Sequence, residues 1–325
     1  MSVNLKNEET IKNKELSNNS TNISHNWKSD LSILGITIVW GSSFILMKNL
    51  LDYTPIFAYL SLRFILATII LCILFNRRLK DINKQVLKWG ILVGLMVFGG
   101  MMFQVVGLQY TSASNSAFIT GLCVVIVPLL SSIYLKKKPS NYAFVGAFLA
   151  AIGLFFLTGA FEFKFNKGDF LTFLCAICFA FQVILIDKAA SKHDPVLIAV
   201  LQIATAAVFF TVIWGFQKFS LPVVNTTLIT TILWTGALGT ALAYGVQTVA
   251  QKYTSPTRTA LIIACEPVFA VIFAWVIPNS AGVTEKPTLY TIIGCVMIFT
   301  GMLLSEIPSM KLSKRQSKSY KSTGA

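Results

Sequence analysis

Apolar residues run through this chain in blocks of about twenty, broken by short polar turns. The blocks lack the two-residue alternation of lipid-exposed barrel strands. A helix satisfies its own backbone groups in hydrocarbon and needs roughly 17 to 25 residues to cross it. Ten such spans are expected, at about Leu31–Leu50, Phe57–Phe75, Leu87–Leu108, Ala113–Leu135, Tyr142–Ala160, Phe170–Lys188, Pro195–Trp214, Leu228–Val249, Pro256–Ile277 and Leu289–Leu304. The separation of the third and fourth spans relies on the short turn Gln109–Ser112. Residues 1–30 are polar, rich in Asn, Lys and Ser, and have no apolar run after a basic start, so they read as a flexible tail rather than a cleaved signal peptide. Residues 305–325 form a second, basic tail.

Composition sharpens this picture. Of 325 residues, 55% are apolar and 12% charged, with a mean hydropathy of +0.70. Soluble domains carry about 25% charged residues to cover their surface, so a water-soluble enzyme is excluded. All six cysteines (Cys72, Cys123, Cys175, Cys178, Cys265, Cys295) fall inside apolar runs and read as small buried side chains. Cys175 and Cys178 share a helical face, but two thiols without further ligands close no tetrahedral metal site. His25 and His193 are the only histidines, one in the tail and one in a turn. Neither a metal nor a cofactor is expected.

Charge orients the spans. The two ends and the even-numbered turns hold 21 of the 27 Lys and Arg residues; the odd-numbered turns hold four, Lys164, Lys167, Lys218 and Lys286. Lys48 and Arg63 remain for the membrane region. The positive-inside rule then places both termini in the cytoplasm, which requires an even number of spans. The same basic residues make nucleic acid a poor partner for the net charge of +14. Those at Lys311–Lys321 should lie against anionic lipid instead.

The chain also resembles itself. Tyr110-Thr111-Ser112 opens the fourth span and Tyr253-Thr254-Ser255 the ninth, a shift of 143 that also carries Ala117 onto Ala260. A shift of 148 pairs Gly146 with Gly294 and Gly153 with Gly301, and one of 140 pairs Lys48 with Lys188 and Pro55 with Pro195. Two halves follow, residues 31–160 and 161–304. Each has five spans, an odd number, so the second half lies inverted in the membrane. The expected fold is an all-α integral membrane protein of ten helices in two inverted five-helix repeats. Inverted halves are common in secondary transporters, which bind their cargo near mid-membrane between the repeats.

At this point the residues resemble a known family. Trp40-Gly41-Ser42-Ser43-Phe44 leading to Lys48, Leu62-Arg63-Phe64, Gly107-Leu108-Gln109-Tyr110-Thr111-Ser112-Ala113, Tyr253-Thr254-Ser255-Pro256 and Glu266-Pro267 together make the chain similar to ten-span bacterial permeases of the EamA type, in the drug/metabolite transporter superfamily. The resemblance covers Leu31 to Leu304. It implies secondary transport of small organic molecules across the bacterial plasma membrane, commonly the export of amino acids or related metabolites, although the group includes importers. Protons are a candidate coupling ion; monomer and homodimer both stay open. One departure is visible: Glu266-Pro267 falls on Cys123-Val124, whereas the first half has its proline at Pro128, so the halves need not bend alike.

Individual residues carry the chemistry. Glu266 lies about ten residues into the ninth span, where an ionised carboxylate costs several kcal/mol unless it faces protein or a wet cavity. It reads as a proton-coupling group or a ligand for a substrate amine, or else as a structural anchor beside the bend at Pro267. Lys48 and Arg63 either line a vestibule that attracts a carboxylate or snorkel to the outer surface; the Arg63 guanidinium suits a two-bond grip. Gln104, Asn115 and Gln182 should point inward as cavity groups or as glue between helices. Trp40 and Tyr244 can stack on a flat substrate part or simply pack. Gly90 and Gly94, four apart, read as a close helix contact. A channel would need a continuous polar line that no span shows. A membrane enzyme would need clustered His, Asp or Glu, and no GxxxxGK[ST] loop exists for an ATP-driven pump.

Overall fold

The computed structural model describes residues 27–51, 54–111, 113–136, 139–158, 166–277, 284 and 286–322, and among these every regular element is helical. The expected tail at 1–30 lies outside the described residues up to position 26; from Trp27 the chain is already helix. The helices are α1 (Trp27–Leu51), α2 (Ile56–Leu74), α3 (Lys84–Leu108), α4 (Ala113–Gly121), α5 (Cys123–Tyr134), α6 (Asn141–Thr158) and α7 (Lys167–Ala190). There follow α8 (Pro195–Phe216), α9 (Thr226–Leu233), a π-helical segment (Trp234–Leu242), α10 (Ala243–Gln251), α11 (Pro256–Ile263), α12 (Glu266–Val276) and α13 (Leu289–Ser322).

Among the described residues seven helical stretches are long and apolar enough to cross a membrane: α2, α3 as far as Gly107, α6, α7, α8, and the stretches Thr226–Gln251 and Pro256–Val276. Two further apolar helices, Phe118–Tyr134 and Leu289–Ser305, are shorter. The protein is thus an all-α, multi-pass membrane protein. The last helix runs on to Ser322, past the expected end at Leu304.

Local chemistry sets where many helices start. Asn83 caps α3 by accepting from the Gln85 and Val86 amides, and Asn225 caps α9 through the Leu228 amide. Asp194 and Ser255 cap α8 and α11, each followed by a proline at the first helical position, where its missing N–H costs nothing. Asn166 and Asp169 form a reciprocal capping box at α7.

Packing is tightest where glycines let backbones meet. Gly90 and Gly94 place α3 against Leu201, Gln202 and Thr205 of α8. Between α6 and α13 Gly146 lies against Gly301 and Gly153 against Gly294, so these two helices run antiparallel. The cores follow the same seams. Tyr59, Leu60, Phe64 and Phe210 fill the space among α2, α3 and α8, whereas Leu154, Leu261, Val268 and Ile298 join α6, α11, α12 and α13.

Both halves interrupt a helix at equivalent places. The second breaks at Ala264–Cys265, where Pro267 has no N–H to give the Ile263 carbonyl. The first breaks at Gly121–Leu122, which a shift of 143 carries onto Ala264–Cys265. Pro128, the expected bend candidate of the first half, instead sits inside the continuous helix α5. Glycine, poor in helix propensity, marks the first break and proline the second.

Candidate functional site

Where the two halves meet, a cavity of about 160 Å³ is lined by Trp40, Ser43, Arg63, Met101, Gln104, Thr120, Gly121, Cys123, Phe179, Gln182, Val183, Tyr244, Gln247, Ala260, Ile263, Ala264, Glu266 and Pro267. An apolar cavity of about 150 Å³ holds a benzene ring, so this one is sized for a small metabolite.

The lining is built in equivalent pairs. A shift of 143 relates Met101 to Tyr244, Gln104 to Gln247, Thr120 to Ile263, Gly121 to Ala264 and Cys123 to Glu266. A shift of 139 relates Trp40 to Phe179 and Ser43 to Gln182. Positions match but chemistry does not. Glu266 replaces a neutral thiol, while Arg63 stands where shifts of 139 and 140 reach the neutral Gln202 and Ile203. Each half therefore contributes one ionisable side chain to the cavity wall.

Arg63 is buried, at 6% exposure, and is held from one side by the π-helical segment. Its Nε donates to Thr240 Oγ1 at 2.7 Å and its Nη2 to the Gly239 carbonyl at 3.4 Å. Trp40 Nε1 donates to that same carbonyl at 2.8 Å. A π-turn leaves backbone carbonyls displaced from the regular ladder, which is why such turns recur at functional sites; here Thr240 Oγ1 donates to the carbonyl five residues back, Thr235. The Trp40 and Tyr244 rings lie 5.5 Å apart, tilted by 59°. Arg63 and Glu266 share the cavity without a direct ion pair between them.

Three buried amides are joined in a cluster, of which Gln182 and Gln247 line the cavity. Gln182 Nε2 donates to Gln247 Oε1 at 3.4 Å and to Gln202 Oε1 at 3.5 Å. Gln202 Nε2 donates to Thr248 Oγ1 at 2.7 Å. These long, shared contacts fix the side chains while leaving capacity for a polar guest.

Of the residues singled out in the sequence, Glu266, Pro267, Arg63, Trp40, Gln104, Gln182 and Tyr244 come together here. Pro128 lies elsewhere, in α5. The side chains of Lys48 and Asn115 lie outside the described residues. Gly239 reads in the sequence only as a small packing residue of the eighth span, and Thr240, Thr120 and Phe179 carried no signal of their own; only the internal shifts would have pointed to Phe179, as the partner of Trp40, and to Thr120, as that of Ile263.

A family model described as the EamA-like transporter family matches the chain twice, at residues 27–159 and 166–306. An uncharacterized transporter of Archaeoglobus fulgidus is 34% identical over 253 residues, covering 76% of this chain and 77% of its own length. The uncharacterized transporter YoaV of Bacillus subtilis is 23% identical over 85% of this chain and 95% of its own. A solved crystal structure, 14% identical, superposes with a TM-score of 0.72 over 87% of this chain and 99% of that one, a likeness of fold alone.

Proposed function

Because this chain belongs to the EamA-like transporter family, and so is a transporter and not an enzyme, we propose that it carries small zwitterionic metabolites, amino acids or related compounds, out of the cell by alternating access. Ten spans in two inverted units, residues 31–160 and 161–304, enclose the cavity. Both termini are cytoplasmic and the membrane is the plasma membrane. The two family matches and the antiparallel run of α6 and α13 support that arrangement.

One observation carries the substrate class: Arg63 and Glu266, one from each half, line the same small cavity without pairing directly. A guanidinium binds a carboxylate through two parallel hydrogen bonds, and a carboxylate accepts from an ammonium group. A guest bearing both groups completes the charges that the empty wall leaves separate. Trp40 and Tyr244 supply aromatic surface, and Gln104, Gln182 and Gln247 supply donors and acceptors for a polar side chain. Glu266 also serves as the proton-coupling group, by exchanging an ammonium ligand for a proton.

A metabolite panel comparing retention in cells with and without the protein tests substrate and direction together. Selective loss of one or a few amino acids from producing cells is the expected result. Purified protein in vesicles should then show saturable flux that responds to an imposed pH gradient. Non-saturating conductance would remove the carrier reading, and accumulation inside cells would reverse the direction.

A further inference from the structure

Among the hydrogen bonds that join the halves of the molecule, two are equivalent to one another. At one end Thr254 Oγ1 donates to Asp30 Oδ1 at 2.9 Å. At the other Thr111 Oγ1 donates to Asp169 Oδ1. The shift of 143 carries Thr111 onto Thr254, and the shift of 139 carries Asp30 onto Asp169. In each pair a threonine at the end of one half's helix reaches the aspartate that opens the other half's first helix. We propose that these pairs are the two gates of the transport cycle, and that they part alternately, the Asp30–Thr254 pair to admit the cytoplasm and the Thr111–Asp169 pair to admit the outside.

The proposal rests on the carrier reading above and adds the residues that govern access. Counting ten crossings, Asp30 and Thr254 share one face of the membrane and Thr111 and Asp169 the other. Each aspartate lies ten residues of helix from a cavity aromatic, Trp40 or Phe179, or about 15 Å at 1.5 Å per residue. Each contact has one buried partner, Thr254 at 3% exposure and Asp169 fully buried, and one half-buried partner, Asp30 and Thr111. The cytoplasmic pair carries an added ion pair, Arg258 Nε to Asp30 Oδ2 at 3.4 Å with both side chains 14% exposed. Asp169 has its second oxygen on the Asn166 amide, within its own helix cap. Asp169 therefore stays anchored in its own half when Thr111 leaves, whereas Arg258, which lies in the same half as Thr254, adds to the cytoplasmic gate and parts with it. Two such bonds intact together describe a carrier closed on both faces.

Native Cys123, on the cavity wall, reports access. Vesicles of both orientations would be treated with a membrane-impermeant maleimide and Cys123 modification quantified by peptide mass spectrometry. Thr254→Val is expected to raise labelling about fivefold from the face that carries Asp30 and to leave the other face unchanged, the population shift one lost hydrogen bond supports. Thr111→Val is expected to do the reverse. Thr254→Ser and Thr111→Ser keep the donor and should label at the wild-type rate, which separates a lost bond from a lost fold. Asp30→Asn and Asp169→Asn repeat the comparison from the acceptor side. Unchanged labelling in all variants, or an increase from both faces alike, overturns the gates. Substrate flux in the same vesicles reads the carrier separately: sided labelling without flux removes carriage and leaves the gates, and flux without sided labelling does the opposite.

Discussion

At the scale of single residues, the cavity depends on how Arg63 is held. Its two hydrogen bonds both go to the π-helical segment, so Thr240 is a positioning residue for the guanidinium. Hydrogen bonds to charged groups contribute about 1.5–3 kcal/mol. Thr240→Val should therefore raise the apparent KM for the transported metabolite about tenfold or more, with a smaller effect on maximal rate and recovery in Thr240→Ser. Glu266→Gln keeps the shape of the side chain and removes its titration. Flux in that variant should lose its response to an imposed pH gradient, as measured in vesicles at fixed substrate. A response equal to wild type would assign coupling to another group. Arg63, Glu266, Gln104 and Gln182 were legible in the sequence because a polar side chain in mid-membrane is costly and needs a reason. The Gly239 carbonyl was not. Every residue has a carbonyl, and only the local winding of the helix decides whether it can reach a neighbour.

At the scale of elements, Pro267 was legible, whereas the caps and the winding came from the structure. Asn83, Asn166, Asp194 and Ser255 stand where helices begin, each just ahead of an apolar run. Pro267 marks the break between α11 and α12, yet Pro128 marks none, because α5 already starts at Cys123, five residues earlier. The glycines carried a correct message about close contact without naming the partner. At the α6–α13 seam a Cβ on Gly153 would sit 2.8 Å from the Gly294 carbonyl oxygen and 2.9 Å from the Ile298 amide nitrogen. Backbone cannot yield as a side chain can, so Gly153→Val should cost at least the 1–3 kcal/mol typical of overpacking. A clear fall in the thermal midpoint of the detergent-solubilised protein is expected. Gly35→Ala, where nothing lies within 4 Å, is the matched control and should melt like wild type.

At the scale of the whole molecule, the family model matches twice and residues of both matches line the cavity. In the inverted arrangement proposed above, a two-fold relation places equivalent backbone positions around one space, and the chemistry there differs: Cys123 stands at the position equivalent to Glu266, and Gln202 or Ile203 at that of Arg63. The antiparallel contacts of Gly146 with Gly301 and Gly153 with Gly294 exchange into one another under the sequence pairing, as a two-fold axis lying in the membrane plane would require. A repeat of parallel orientation would set α6 and α13 side by side in the same direction. The distribution of 21 basic residues against four gives an independent argument for the same geometry. Single cysteines placed at Lys80 and Lys286, which lie in turns after the second and ninth spans, should react with an impermeant reagent from opposite sides of the membrane. The assay reads modification in intact cells before and after permeabilisation, with Lys218 expected to match Lys286 and Lys192 to match Lys80. Reaction of Lys80 and Lys286 from one side would mean that an odd number of crossings has been miscounted between them. The two halves would then share an orientation, and a cavity alternately exposed by their mutual rocking would have no geometric basis.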